Sequence, residues 1–91
     1  MIKHVDITIN GKVQGVGFRY SALEQAMDMG IFGLVRNLEH NQIYIEIEGE
    51  VDQLKEFLRW CHRGPEGARV EKVDYQSTED LKGFTEFIAE I

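Results

Sequence analysis

Phe32-Gly33-Leu34-Val35-Arg36-Asn37-Leu38, Glu39-His40-Asn41 and Gln42-Ile43-Tyr44-Ile45-Glu46-Ile47-Glu48 follow one another in the middle of the chain. Two runs of strand-like sequence, residues 32 to 38 and 42 to 48, flank three polar residues. The asparagine of that connection tolerates the positive φ of a tight turn, so the stretch reads as a hairpin. Ile43, Ile45 and Ile47 share one face of the second strand, and Tyr44, Glu46 and Glu48 share the other. That alternation predicts a sheet covered on one side, with the glutamate row as its wet face.

Nearer the start of the chain, Val5, Ile7 and Ile9 alternate with His4, Asp6, Thr8 and Asn10, the period of a half-buried strand. Phe18, Ala22, Ala26 and Met29 follow at spacings of four, four and three, which predicts a helix ending at Gly30. Beyond the hairpin, Val51, Leu54, Phe57, Leu58 and Cys61 recur at helical spacing until Gly64-Pro65 stops them. Residues 68 to 76 read as a further strand, and the tail from Phe84 to Ile91 as a short edge strand whose Phe84 and Phe87 break strict alternation.

The order strand, helix, strand, strand, helix, strand predicts an α+β fold of ferredoxin-like split βαβ type. The expected form is an antiparallel sheet of four to five strands with two helices on one face. In it the first two strands run the same way with the third antiparallel between them, so their C-terminal ends meet at one edge of the sheet. The fold hosts unrelated functions, so activity must be read from the residues at that edge.

At the edge lies Gly11-Lys12-Val13-Gln14-Gly15-Val16-Gly17-Phe18-Arg19. Gly15 and Gly17 can take backbone conformations that turn successive N–H groups inward, and the helix start adds unpaired donors with partial positive charge. Arg19 offers a planar fork suited to phosphate oxygens. A cation at a helix start is otherwise disfavoured by about 0.3 to 1 kcal/mol unless an anion compensates. The glycines alone fit a plain strand-to-helix connection equally well, and they match neither the Walker A nor the dinucleotide-binding pattern.

The whole string closely resembles the phosphate-binding signature of the acylphosphatase family. Gly33-Leu34-Val35-Arg36-Asn37-Leu38 resembles that family's second signature, and Gly64-Pro65-Glu66-Gly67-Ala68-Arg69-Val70 is also similar to it. The resemblance spans essentially the whole chain in the right order. It implies that Arg19 binds a phosphoryl group together with the backbone N–H groups of Gly15, Val16, Gly17, Phe18 and Arg19, and that Asn37 holds the attacking water. It further implies a small acyl phosphate as substrate, with the substrate's own phosphate accepting the proton of water. A departing carboxylate, conjugate to an acid of pKa about 4, needs little protonation, so neither a general acid nor a metal is required. No cofactor is expected. The sequence departs from the usual family pattern at Leu34, where a large aromatic is common, and at His40-Asn41, where a glycine-containing turn is common. The first bears on pocket shape and the second on the hairpin tip.

Ninety-one residues, 43% of them hydrophobic, predict one domain spanning residues 1 to 91. A net charge of −6 argues against nucleic acid, which is normally met by a basic face. An RNA-binding sheet would carry basic and stacking residues where Glu46 and Glu48 stand. His4, His40 and His62 show no metal-ligand spacing, and Cys61 sits on an apolar stripe where it packs as a small hydrophobe. Lys12 and Arg36 are candidates for raising the potential near the loop or are plain strand-end charges. No apolar run approaches the roughly 20 residues of a membrane span, and the chain opens without the apolar stretch of a secretory signal. A cytoplasmic monomer is expected. The alternative to an enzyme is a non-catalytic anion-sensing or protein-binding module of the same fold.

Overall fold

The computed structural model describes residues 1–91. Its elements are β1 (Ile2–Lys12), α1 (Phe18–Met29), β2 (Phe32–Asn37), β3 (Ile43–Glu50), α2 (Val51–Arg63), β4 (Arg69–Thr78) and β5 (Phe87–Ala89). The five strands lie in the order β4-β1-β3-β2-β5. β3 pairs antiparallel with β1 on one side and β2 on the other, with Ile43 opposite both Ile9 and Asn37. The expected split βαβ arrangement is therefore present, and the ends of β1 and β2 emerge at one edge.

Register follows from the alternating isoleucines. Ile7, Ile45 and Val35 form one cross-strand row and Val5 and Ile47 another, all fully or nearly fully buried. β-Branched side chains suit such rows, and each one buried contributes on the order of 1.5 to 3 kcal/mol. α1 packs on β2 and β5, and α2 on β4, β3 and β1. The small Ala22 and Ala26 are the buried residues of α1 beyond Phe18, which lets that helix lie close to the sheet. Phe18, Trp60, Phe57 and Phe87 then form a chain of tilted rings 5.2 to 6.3 Å apart, joining both helices to the C-terminal strand.

Two expectations change. The sheet is mixed rather than wholly antiparallel, because β5 runs parallel to β2. After β4 at the far edge, the chain crosses the sheet's outer face and reverses before meeting β2. The predicted wet row of glutamates is also buried, with Glu46 and Glu48 only 5% and 6% exposed. Residues 82 to 84 of the crossing segment lie over them. The Glu48 carboxylate accepts backbone N–H groups from Lys82, Gly83 and Phe84 at 2.5, 3.0 and 3.2 Å. The Lys82 ammonium stands 2.6 Å from a Glu46 oxygen.

Beneath this strap lies His4, 2% exposed, its Nδ1 2.7 Å from Glu48 and its Nε2 2.7 Å from Asp6. Both ring nitrogens face carboxylates, so the imidazolium is the form that satisfies them. Burial pulls the His4 pKa down, but the bonds to Asp6 and Glu48 outweigh it and the net direction is up. Burial pushes Glu48 up, yet the Lys82 N–H, His4 and the Phe84 and Gly83 N–H groups together bring it below its ordinary value. His4, Asp6 and Glu46 can each present one ligand atom within 4.8 Å of the others. That grouping had no signature in the sequence, since the residues come from two strands. With both His4 nitrogens already bonded and Lys82 on Glu46, the cations of the cluster are the protein's own.

The raised His4 pKa stabilises the fold fully below the ordinary 6.5 and loses that contribution as pH rises through the folded value. The lowered Glu48 pKa contributes above 4.5 and is lost as pH falls through its own folded value. His4→Gln should therefore be less stable than the parent at pH 5.5, and the gap should narrow at pH values above the raised His4 pKa. Urea denaturation at several pH values reads this directly, and a gap that widens with pH would contradict it. Glu48→Gln should cost about 1.5 to 3 kcal/mol, the scale of hydrogen bonds to a charged group.

Candidate active site

Where β1 ends, the backbone turns through Gly15 and Gly17, both left-handed with φ 78° and 77°. Gly17 is the N-cap of α1, and Ser21 N–H to the Gly17 carbonyl, at 3.0 Å, bonds back to that cap. The backbone N–H groups of residues 14 to 17 make no hydrogen bond within the chain. Those of the first turn of α1 have no intrahelical acceptor by geometry. A run of unpaired donors thus lines the loop and the start of the helix, backed by the positive end of the helix dipole.

Val13 and Phe18 anchor this loop at either end, each almost wholly buried. Arg19 is half-buried, and its guanidinium donates to the carbonyl of Glu90 at 2.5 Å. Glu90 follows β5, and its own N–H bonds to the Val35 carbonyl at 2.8 Å. The C-terminal strand therefore holds one nitrogen of the guanidinium. Asn37 ends β2 two residues beyond buried Val35, and its exposed side chain makes no hydrogen bond.

A cleft of about 210 Å³ joins these parts, lined by Gln14, Gly15, Gly17, Arg19, Tyr20 and Asn37 over a floor of Val13, Phe18 and Ile43. It is smaller than the ~300 to 1,000 Å³ pockets that enclose drug-sized ligands. Arg19 is the one charged side chain in its wall, so an anion entering meets a cation and polar donors although the chain as a whole carries −6. A larger open depression of about 560 Å³ lies between α1 and the residues following α2. Its wall mixes Glu24 and Glu66 with Arg63 and holds neither Asn37 nor the loop donors.

A loop of free N–H groups, an arginine fork and an uncoordinated asparagine amide at one sheet edge agree with a match over most of the chain. Residues 5–89 match the family profile described as Acylphosphatase. The chain belongs to the acylphosphatase family. A relative named acylphosphatase, from Trichormus variabilis, is 44% identical over 82 residues, covering 88% of this chain and 81% of its own. The crystal structure of an acylphosphatase from Bacillus subtilis superposes with a TM-score of 0.94 at 27% identity over the full length of both chains. An acylphosphatase from Coxiella burnetii gives 0.93 at 29% identity, covering 98% of this chain and 93% of its own.

Among the residues singled out from sequence, the structure gathers Gly15, Gly17, Phe18, Arg19 and Asn37 around this one cleft. Val16 does not line it and packs against the core. Leu34, expected to bear on pocket shape, pairs with Glu46 and shares the outer face with it, away from the cleft. Arg36 also belongs to the outer face, its guanidinium 5.0 Å from the Tyr44 ring centroid and 3.7 Å from the Glu90 carboxylate. The hairpin tip is glycine-free, and both His40 and Asn41 take positive φ, 62° and 61°. Gln14 and the Glu90 carbonyl escaped the sequence reading. A main-chain acceptor has no sequence signature, and a glutamine in a loop has only its polarity.

An ideal Cβ added at Gly17 meets nothing within 4 Å, so Gly17→Ala tests the left-handed backbone alone. It should lower stability by about 1 kcal/mol in urea and weaken binding of inorganic phosphate, both readable on the same sample. Unchanged phosphate affinity would show that the loop geometry does not hold the anion.

Proposed function

We propose that Arg19 and the backbone N–H groups of residues 15 to 19 bind the phosphoryl group of an acyl phosphate, and that Asn37 orients the water that attacks it. The chain hydrolyses the carboxyl-phosphate anhydride, giving a carboxylate and inorganic phosphate. The observation that carries the residue roles is that Gly15 and Gly17 with their unpaired N–H groups, the Arg19 fork and the free Asn37 amide share one small cleft with no carboxylate in its wall.

The chemistry suits those parts. As the water oxygen bonds to phosphorus, the bond from phosphorus to the acyl oxygen breaks, and charge spreads over the non-bridging oxygens that the loop and Arg19 face. An uncharged amide can place water in line without repelling a dianion. The lining contains no histidine, cysteine or carboxylate to act as general base, which supports transfer of the water proton to a phosphoryl oxygen. The carboxylate leaves without protonation, as expected for a group whose conjugate acid has a pKa about 4. A cleft sized for the phosphoryl end leaves the acyl portion outside, so substrates are small acyl phosphates discriminated weakly by their acyl groups.

The same reading takes residues 1 to 91 as a single catalytic domain working as a cytoplasmic monomer without metal or nucleic acid. No helix is long and apolar enough to cross a membrane. Cys61 is buried, and burial pushes its thiol pKa up, in keeping with a structural rather than redox role. The large apolar side chains left exposed, among them Tyr20, Tyr75 and Ile88, are distributed over different elements.

Hydrolysis of a synthetic aroyl phosphate in excess chelator tests the proposal. The rate should survive chelation. Arg19→Ala should lose at least about a hundredfold in kcat/KM, the scale of removing one preorganised charge stabiliser. Asn37→Ala should act mainly on kcat, because oriented water matters at the transition state more than in substrate binding. A folded Arg19→Ala protein with undiminished rate would overturn the assignment. Phosphate binding without turnover by the parent would point instead to an anion-sensing module.

A further inference from the structure

Gln14 opens the glycine loop, yet its side chain turns to the hairpin between β2 and β3. Its Nε2 stands 2.7 Å from the Leu38 carbonyl and 2.9 Å from the Gln42 carbonyl, groups 24 and 28 residues away in sequence. The reverse amide orientation would set an oxygen against two carbonyl oxygens, so the donor assignment is dictated by the partners. Both N–H groups of the amide are thereby engaged, and neither remains for a phosphoryl oxygen.

The bonds close a small network around the hairpin mouth. The Gln42 carbonyl also accepts the Leu38 N–H at 2.8 Å, and Gln42 Nε2 donates to Asn10 Oδ1 at 2.8 Å. The tip those groups enclose carries two consecutive non-glycine residues in the left-handed region, a conformation that L-residues rarely adopt. Such a tip is held from outside as well as by its own turn bonds. Asn37 immediately precedes this mouth, is exposed and has no side-chain partner, so its position is inherited from the backbone that Gln14 grips. Gln14 is also one residue from Gly15, where the unpaired N–H run continues.

We propose that Gln14 is a positioning residue for hydrolysis: it fixes Asn37 relative to the phosphate-binding loop by tethering the Leu38 and Gln42 carbonyls, without itself contacting phosphate. The inference rests on the reading of Asn37 as the water-holding residue. It places the spacing between the anion cradle and the attacking water under the control of one amide that belongs to the cradle and bonds to the hairpin.

Gln14→Met keeps the side-chain length and removes both donors. Its kcat on an aroyl phosphate should fall roughly ten- to a hundredfold, the scale of misplacing a reacting group by about 1 Å. The competitive inhibition constant of inorganic phosphate should stay within about twofold. Made in the Asn37→Ala background, the same substitution should change kcat by less than about twofold, because the group it positions is gone. Equal fold-losses in both backgrounds, or a phosphate constant that rises in step with the kcat loss, would overturn the proposal in favour of general support of the loop. Wild-type kcat in Asn37→Ala alone would instead overturn the water-holding role on which it rests. Should Gln14→Met fail to fold by circular dichroism, Gln14→Asn, one methylene short of bridging both carbonyls, should show the same background dependence.

Discussion

The antiparallel pairing of β3 with both β1 and β2 is the constraint on which the rest depends. Because β3 runs opposite to both neighbours, β1 and β2 point the same way and end at the same edge, one strand apart. A loop leaving β1 and a side chain ending β2 are thus forced together by hydrogen-bond register, with no need for either to reach. The isoleucine rows set that register, since a slip of one residue would turn Ile43, Ile45 and Ile47 away from the helices and bring Glu46 and Glu48 inward. The placement of these parts is therefore as fixed as the sheet's pairing.

The two faces of the sheet solve different electrostatic problems. On the helix side the core is apolar, and the cleft at its edge exposes one cation in a chain that is otherwise acidic. On the outer side three carboxylates, Asp6, Glu46 and Glu48, converge in a largely buried layer and are offset by His4, Lys82 and three backbone N–H groups. Breaking such a layer by removing one member leaves an unpaired buried charge, which is costly. The layer also has a consequence for the site. The segment it clamps leads directly into β5, whose neighbour Glu90 supplies the carbonyl that holds Arg19.

The loop between β1 and α1 leaves backbone bonding capacity unmet. Its backbone N–H groups at residues 14 to 17 have no acceptors within the chain, and the two left-handed glycines among them take that backbone without a Cβ penalty. They are tolerated because Val13 and Phe18 are locked into the core on either side, so the loop between them has little freedom to collapse onto its own donors. In the proposed reaction, preorganisation of this kind lowers the reorganisation needed when charge develops on a phosphoryl group.

The strands and helices were legible in the sequence because period-two isoleucines and four-residue apolar spacings record local geometry, and the meeting of the glycine loop, Arg19 and Asn37 at one edge was legible because strand order sets where β1 and β2 end. Which residues share a face of β3 was equally plain, but not whether that face stays wet. Alternation reports the direction of side chains, while the cover over Glu46 and Glu48 comes from a tail more than 30 residues away in the chain. The parallel β5, the Glu90 carbonyl on Arg19 and the Gln14 tether were decided by tertiary structure alone. Each rests on main-chain groups brought together across the sheet, and main-chain groups are the same in every residue, so side-chain identity cannot announce where they will meet.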